Sequence, residues 1–363
     1  MRIDGREMRT LWLDADGRRV HVIDQTKLPH GLETVVLASC DDAARAIADM
    51  NVRGAPLIGV AGAYGLALAV AEDAGDAAIA RAHARLIATR PTASNLRWAV
   101  DRVRACLART PIGERRARAY AEAAAIAGED VAACMAIGAH GARLIGDIAA
   151  RVGGRPVNIL THCNAGWLAT IDWGTALAPV YAAMRQGVAV HVWVDETRPR
   201  NQGASLTAFE LIGEGAPHTV IADNAGGHLM QHGLIDLCLV GADRVTRSGD
   251  VCNKIGTYLK ALAARDNGVP FFAALPSSTI DWSMRDGVAE IPIEERSPRE
   301  VTHIAGLTAE GSVAEVRLTP EGSSARNFAF DVTPARLISG IVTERGLCGA
   351  DEASLTRMFP DLA

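Results

Sequence analysis

From Val157 onward the chain repeats one unit, a short apolar run with a polar loop directly behind it. Residues 157 to 160 run into Thr161-His162-Cys163-Asn164-Ala165-Gly166, and residues 188 to 194 into Asp195-Glu196-Thr197-Arg198-Pro199. Residues 219 to 222 are followed by Asp223-Asn224, 234 to 240 by Gly241-Ala242-Asp243-Arg244, and 270 to 274 by Pro276-Ser277-Ser278. Helical patterns separate most of these runs, as crossover connections between parallel strands require. Their unbroken apolar character suits strands covered on both faces. In such a sheet every loop that follows a strand falls on one edge, where open α/β sheets bind their ligands. The expected fold is therefore α/β, with a Rossmann-like parallel sheet in residues 151–363.

The preceding residues read differently. Residues 9 to 14, 19 to 24 and 33 to 39 alternate like strands between Asp-Gly and Pro29-His30-Gly31 turns, which predicts a small antiparallel sheet. Helical periodicity follows over 41–50, 54–71, 73–88, 95–108, 112–127 and 129–150, with Pro56 placed for the first turn of its helix. Residues 54 to 71 carry no charge and reach the length of a membrane span. Gly59, Gly62 and Gly65 with many alanines make the stretch too weakly hydrophobic for one, so a buried helix that lets neighbours come close is expected. The Arg-Val-Gly-Gly-Arg-Pro stretch at 151–156 marks the boundary between a mostly helical domain, 1–150, and the sheet domain, 151–363.

Charge and cysteine usage narrow the function. A chain of 363 residues with net charge -5 has no basic surplus for nucleic acid or an acidic membrane face. Seven cysteines form no CxxC pair, and the first residues hold charges rather than an apolar core. A reduced, cytoplasmic protein without structural zinc or secretory signal is expected. The first strand-to-helix turn lacks GxGxxG, which disfavours a dinucleotide cofactor.

Several side chains stand where chemistry is expected. Cys163 is either a small buried hydrophobe or an active thiol, and its place at a strand end among Thr, His and Asn favours the thiol. His162, its neighbour, should point the opposite way, so no Cys–His pair is expected. Asp243 is a turn cap or, between apolar strand ends, a carboxyl with a raised pKa that serves as an acid. Arg53-Gly54-Ala55-Pro56 joins a guanidinium to free amides at a helix start, a ready anion site. Asn253 and Lys254 suggest a second helix start, and Arg97 lies near the beginning of a third helix. Three cations and two helix starts together match a phosphate. Gln202 is suited to hydroxyl groups. Asp195, Glu196 and Asp243 lack a histidine at ligand spacing, so no metal is expected.

Seven segments in order, RGAPLIG from Arg53, THCNAG from Thr161, DETRPRNQG from Asp195, GADR from Gly241, NKIGTY from Asn253, PSSTID from Pro276 and FDVTPARLISGIVTERG from Phe330, resemble the methylthioribose-1-phosphate isomerase family. That family shares its fold with the regulatory subunits of translation initiation factor 2B. The resemblance implies a homodimer without cofactor that isomerises a sugar 1-phosphate, from 5-methylthioribose 1-phosphate to 5-methylthioribulose 1-phosphate. It implies Cys163 and Asp243 as catalytic residues, and Arg53, Gly54, Ala55, Arg97, Gln202, Asn253 and Lys254 as substrate contacts. Asn327-Phe328-Ala329-Phe330 departs from the family's Asn-Pro-Ala-Phe, a change expected to touch only a loop. Two other readings stay open: a ribose-1,5-bisphosphate isomerase, which needs a second anion site, and a non-enzymatic regulatory subunit, which does not need Cys163 and Asp243 together.

Overall fold

Residues 1–3, 5–90 and 93–363 are described by the structure, a computed structural model. A short hairpin, β1 (Arg2–Ile3) with β2 (Arg6–Glu7), opens the chain. It was not legible in the sequence, being too short to show alternation. The expected antiparallel sheet follows as β3 (Leu11–Leu13), β4 (Val20–Ile23) and β5 (Thr34–Leu37), with β4 in the middle.

Helix α1 (Cys40–Ala48) starts at a capping box, in which Ser39 and Asp42 satisfy each other's backbone amides. Helix α2 (Ala55–Glu72) is long and apolar enough to cross a membrane, yet 83% of it is buried inside the protein. Its glycines do what the sequence suggested: a Cβ on Gly59 would lie 2.9 Å from the Asn95 carbonyl, and Gly62 and Gly65 face Leu96 and Leu86. Helices α3 (Asp76–Ile87) and α4 (Ser94–Leu107) pack around it.

The two helices expected over 112–127 and 129–150 are one, α5 (Arg115–Ala149). Gly128 costs a helix interior about 1 kcal/mol relative to alanine. Packing outweighs that cost, because α5 belongs to two cores at once. Ala119, Ala123 and Ile126 join the core around α2, whereas Ile137, Ala142, Ile145 and Ile148 pack against the large sheet.

The second half of the chain supplies β6 (Val157–Thr161), α6 (Ala178–Arg185), β7 (Val190–Asp195), α7 (Ala208–Gly213), β8 (His218–Ile221), α8 (Ala225–Gln231), β9 (Leu237–Val240), β10 (Arg244–Thr246), β11 (Val251–Lys254), α9 (Thr257–Asp266), β12 (Phe271–Ala274) and β13 (Ile280–Asp281). After these come the hairpin β14 (His303–Leu307) and β15 (Val313–Arg317), then β16 (Phe330–Thr333), β17 (Gly340–Thr343) and β18 (Gly346–Cys348). The seven-stranded sheet runs β18-β17-β12-β9-β6-β7-β8 and is parallel except for β18. A smaller sheet, β13-β10-β11-β16, takes up the chain where it leaves the carboxyl ends of β9 and β12.

The strand order locates the site. From β6 the chain moves outward through β7 and β8, then returns to the other side of β6 for β9. The loops behind β6 and β9 part at this reversal and leave a crevice between them. Cys163 stands in the first of those loops and Asp243 in the second.

Candidate active site

The loop after β6 turns sharply at Cys163, whose φ of 67° is the left-handed conformation that L residues seldom adopt. Three bonds hold it there. The Cys163 amide donates to Thr197 Oγ1 at 2.8 Å, Thr207 Oγ1 donates to the Cys163 carbonyl at 2.8 Å, and Cys163 Sγ donates to Gln202 Oε1 at 3.3 Å. Backbone strain fixed by surrounding bonds is common where a side chain must face a ligand.

A cavity of about 50 Å³ opens in front of the thiol. Cys163, Asp243, Arg53, Gly54, Ala55, Gln202, Asn253 and Lys254 line it together. A wider cavity of about 240 Å³ adjoins it and shares Met50, Arg53 and Gln202 as walls. Arg97 is not among these residues: it lies exposed on α4, away from the cavity. The expectation that Arg53, Arg97 and Lys254 converge is corrected by the phase of α4, which buries Asn95, Leu96, Ala99 and Val100 and turns position 97 outward. Arg90 lines the cavity in its place, paired with Glu294 at 2.9 Å. The sequence reading missed Arg90 because its position beyond α3 carries no periodic or capping signal.

Asn253 and Lys254 are likewise not at a helix start. They end strand β11, and α9 begins at Thr257 with Gly256 as its cap. A strand delivers them because β10 and β11 form a hairpin immediately behind Asp243, whose amide donates to the Cys252 carbonyl at 2.9 Å. Ser94 at the start of α4 reaches the Asp243 carbonyl at 3.4 Å, and Asn95 Nδ2 donates to Ser278 Oγ at 3.0 Å. Residues of the helical half thus brace the sheet edge.

Gly54 caps α2 with φ 95°, and a Cβ there would lie 2.5 Å from the Ala169 carbonyl oxygen, so only glycine brings the helix start this close to the β6 loop. The free amides at the start of α2 and the Arg53 guanidinium face the same space.

Burial dominates the electrostatics. It pushes the Cys163 thiol up against the pull of Lys254 and Arg53, and it raises the Asp243 carboxyl against Lys254, Arg90 and Arg53. Lys254 is lowered by burial, with Cys163 and Asp243 acting the other way, and Arg53 is lowered by the same cause. The cavity therefore holds a thiol that keeps its proton, a carboxyl that gives one up late, and buried cations that gain from an anion.

His162 turns away from the cavity, as strand alternation requires, and lies between Asp195 at 2.9 Å and the Ile255 carbonyl at 2.8 Å. His162, Asp195 and Asp223 bring potential metal-ligand atoms within 4.8 Å of one another. Lys260 Nζ lies 3.3 Å from Asp195 and donates to the Asp223 carbonyl, so an ammonium group already supplies positive charge there.

Residues 51–349 match the model of the initiation factor 2 subunit family. Methylthioribose-1-phosphate isomerase of Methylorubrum populi is 65% identical over 361 residues, 99% of both chains. The Escherichia coli O45:K1 protein of the same name is 59% identical over 363 residues, 100% of this chain and 97% of its own. Among solved structures, 5-methylthioribose 1-phosphate isomerase from Pyrococcus horikoshii OT3 superposes with a TM-score of 0.82 at 39% identity, covering 98% of this chain and 97% of that one. Subunit delta of translation initiation factor eIF-2B from A. fulgidus gives 0.79 at 35% identity, over 98% and 100%. The fold is thus common to both branches, and the identities near 60% lie with one of them: the chain belongs to the initiation factor 2 subunit family and, within it, to the methylthioribose-1-phosphate isomerases.

Proposed function

We propose that this chain is an aldose–ketose isomerase acting on 5-methylthioribose 1-phosphate, with 5-methylthioribulose 1-phosphate as product. The observation that carries the reading is the meeting of a thiol and a carboxyl, both pushed up by burial, with two buried cations in one cavity at the sheet's reversal point. A regulatory subunit needs no such acid.

A sugar phosphorylated at C1 has no free aldehyde, so isomerisation starts by breaking the bond from C1 to the ring oxygen. Asp243 gives the ring oxygen its proton, and positive charge develops at C1. Hydrogen then passes from C2 to C1 while the 2-hydroxyl becomes the ketone and gives its proton to the Asp243 carboxylate, which restores the acid. A hydride shift suits this cavity, because Cys163 keeps its proton and serves better as a polar neighbour than as a base. Arg53 and Lys254 hold the phosphate, with Arg90 beside them, and Gln202 meets a sugar hydroxyl. A 5-deoxy sugar 1-phosphate is a second substrate on this reading, since exchanging methylthio for hydrogen at C5 alters binding only modestly. The enzyme is proposed to be a cytoplasmic homodimer, divided at residue 150 into two domains that share α5.

Deuterium at C2 of the substrate tests the route. Its recovery at C1 of the product, with little label taken from heavy water, supports the hydride shift; substantial solvent deuterium at C1 refutes an exclusive shift and assigns a base, most directly Cys163. Absence of turnover with 5-methylthioribose 1-phosphate, its 5-deoxy analogue and ribose 1,5-bisphosphate would remove the isomerase reading.

A further inference from the structure

Among the described residues, Glu210 is an acid with no solvent exposure and no ion pair. Glu210, on the short helix α7, is completely buried, and its two oxygens receive four hydrogen bonds. Oε1 accepts from Asn164 Nδ2 at 2.9 Å and the Leu168 amide at 2.9 Å, and Oε2 accepts from the Trp167 amide at 2.8 Å and the Tyr181 hydroxyl at 3.0 Å. The space for it is kept open by Gly166, where a Cβ would come within 1.8 Å of Glu210 Oε2. A buried carboxylate without a cation is costly to keep, so such a set of bonds points to a task.

The task shows on the far side of Asn164. Asn164 Oδ1 accepts from Arg53 Nη1, and the Asn164 carbonyl accepts from Arg53 Nη2 at 2.6 Å. An amide has one accepting end and one donating end. Because a carboxylate only accepts, Glu210 compels the NH2 of Asn164 to face it, which turns Oδ1 toward the guanidinium. With the amide reversed, Asn164 would present donors to donors and push Arg53 out of place.

We propose that Glu210 is a positioning residue for the anion end of the cavity: it sets the orientation of Asn164, and Asn164 sets the guanidinium of Arg53 against the substrate's phosphate. The inference rests on the reading of Arg53 as a phosphate contact. Glutamine cannot take over the role. Whichever way its amide is turned, its NH2 meets a backbone N–H, of Leu168 on one side or Trp167 on the other, and neither can withdraw. Burial also pushes the Glu210 carboxyl up to about 7, while Asn164, the two amides and the Tyr181 hydroxyl pull the other way and favour its accepting, ionised form.

The test is steady-state kinetics on the full-length enzyme with 5-methylthioribose 1-phosphate, comparing Glu210→Gln, Asn164→Ala, the double variant and Arg53→Lys. A purely structural loss lowers the fraction of active enzyme, so kcat falls at constant KM, whereas a misplaced phosphate contact raises KM. The expected result is a KM rise of about tenfold in Glu210→Gln and in Asn164→Ala with kcat within about threefold, and a double variant no worse than the poorer single one. An unchanged KM in Glu210→Gln, or effects that multiply in the double variant, overturns the proposal. Should Glu210→Gln fail to fold, the shorter Glu210→Asp carries the same comparison, with a raised KM in favour and an unchanged one against. Arg53→Lys reports separately on the underlying assignment: unchanged KM there sinks the phosphate contact itself, while raised KM there with unchanged KM in the Glu210 variants sinks only the role of Glu210.

Discussion

Replacing Asp130 by asparagine should make the enzyme more stable at alkaline pH and leave it little changed at acid pH. Asp130 lies on α5 where the helix passes between its two cores, 9% exposed, with Oδ2 accepting from the Ile171 amide at 2.7 Å. Burial pushes its carboxyl from 3.8 up to about 7; the Ile171 amide opposes the shift and the nearby Asp172 adds to it. Because the folded pKa is the higher one, the folded state binds the extra proton between these values, and stability falls as pH rises from 3.8 through 7. From pH 5.5 to well above 7 the loss is about 1.5 units at 1.36 kcal/mol each, or roughly 2 kcal/mol. Asparagine keeps an acceptor for Ile171 and does not titrate. The difference in stability between variant and parent should therefore shift in the variant's favour by about 2 kcal/mol from pH 5.5 to 8.5, or roughly 2 to 3 °C in Tm for a chain of this length. Glu210 titrates in the same range in both proteins and cancels in the comparison. Thermal unfolding of the two proteins at the two pH values measures the effect. Parallel melting temperatures at both would refute the account, since they would mean that Asp130 is ionised in the fold or hydrated.

Cys163→Ala and Asp243→Asn should each lower kcat by on the order of a hundredfold or more with the circular dichroism of the parent, because each removes a reacting group and little packing; near-normal turnover would take that residue out of the mechanism. Lys254→Ala should raise KM by about tenfold or more and weaken competition by inorganic phosphate, and an unchanged KM would show that the phosphate lies elsewhere. Gly54→Ala should depress Tm and activity together, since the new Cβ meets the Ala169 carbonyl at a φ of 95°; wild-type values for both would mean that α2 does not enter the site as described.

Five strands of the large sheet, β6, β7, β8, β9 and β12, were readable because each falls in a largely apolar run stopped by a polar loop, and that signal is local. What was not readable depended on phase or on contacts distant in the chain. Gly128 looked like a break because propensity favours one, but helix packing on two cores decided otherwise. Arg97 and Arg90 are equally charged and flank the same turn; only the rotation of α4 and the path beyond α3 decide which one reaches the cavity. Lys254 was placed in the right cavity for the wrong reason, as part of a helix start when it ends a strand. Strand β17, Gly340–Thr343, was passed over although it adds to the parallel sheet beside β12, since glycine at its start weakens the strand pattern. Glu210 gave no signal at all, being a single acid in a helical stretch where an exposed position is the default.

On the proposed mechanism the substrate helps to prepare its own acid. In the free enzyme Lys254, Arg90 and Arg53 all pull the Asp243 carboxyl down, and burial, helped by the nearby Glu294, holds it up. A phosphate carries about two negative charges near neutral pH and would sit among the same cations. Its charge offsets theirs at Asp243, so the carboxyl is left with burial and a nearby anion, both of which favour the protonated form. The same anion removes the penalty on the cations, whose pKa values burial has lowered, and fixes them in the charged state. Binding and proton retention are thus coupled through one set of side chains. A sugar lacking the 1-phosphate would lose more than affinity, because Asp243 would face it with the cations unneutralised and its proton less firmly kept. That coupling gives the enzyme a physical reason to act on the phosphorylated sugar even though the reacting hydrogen lies at C2.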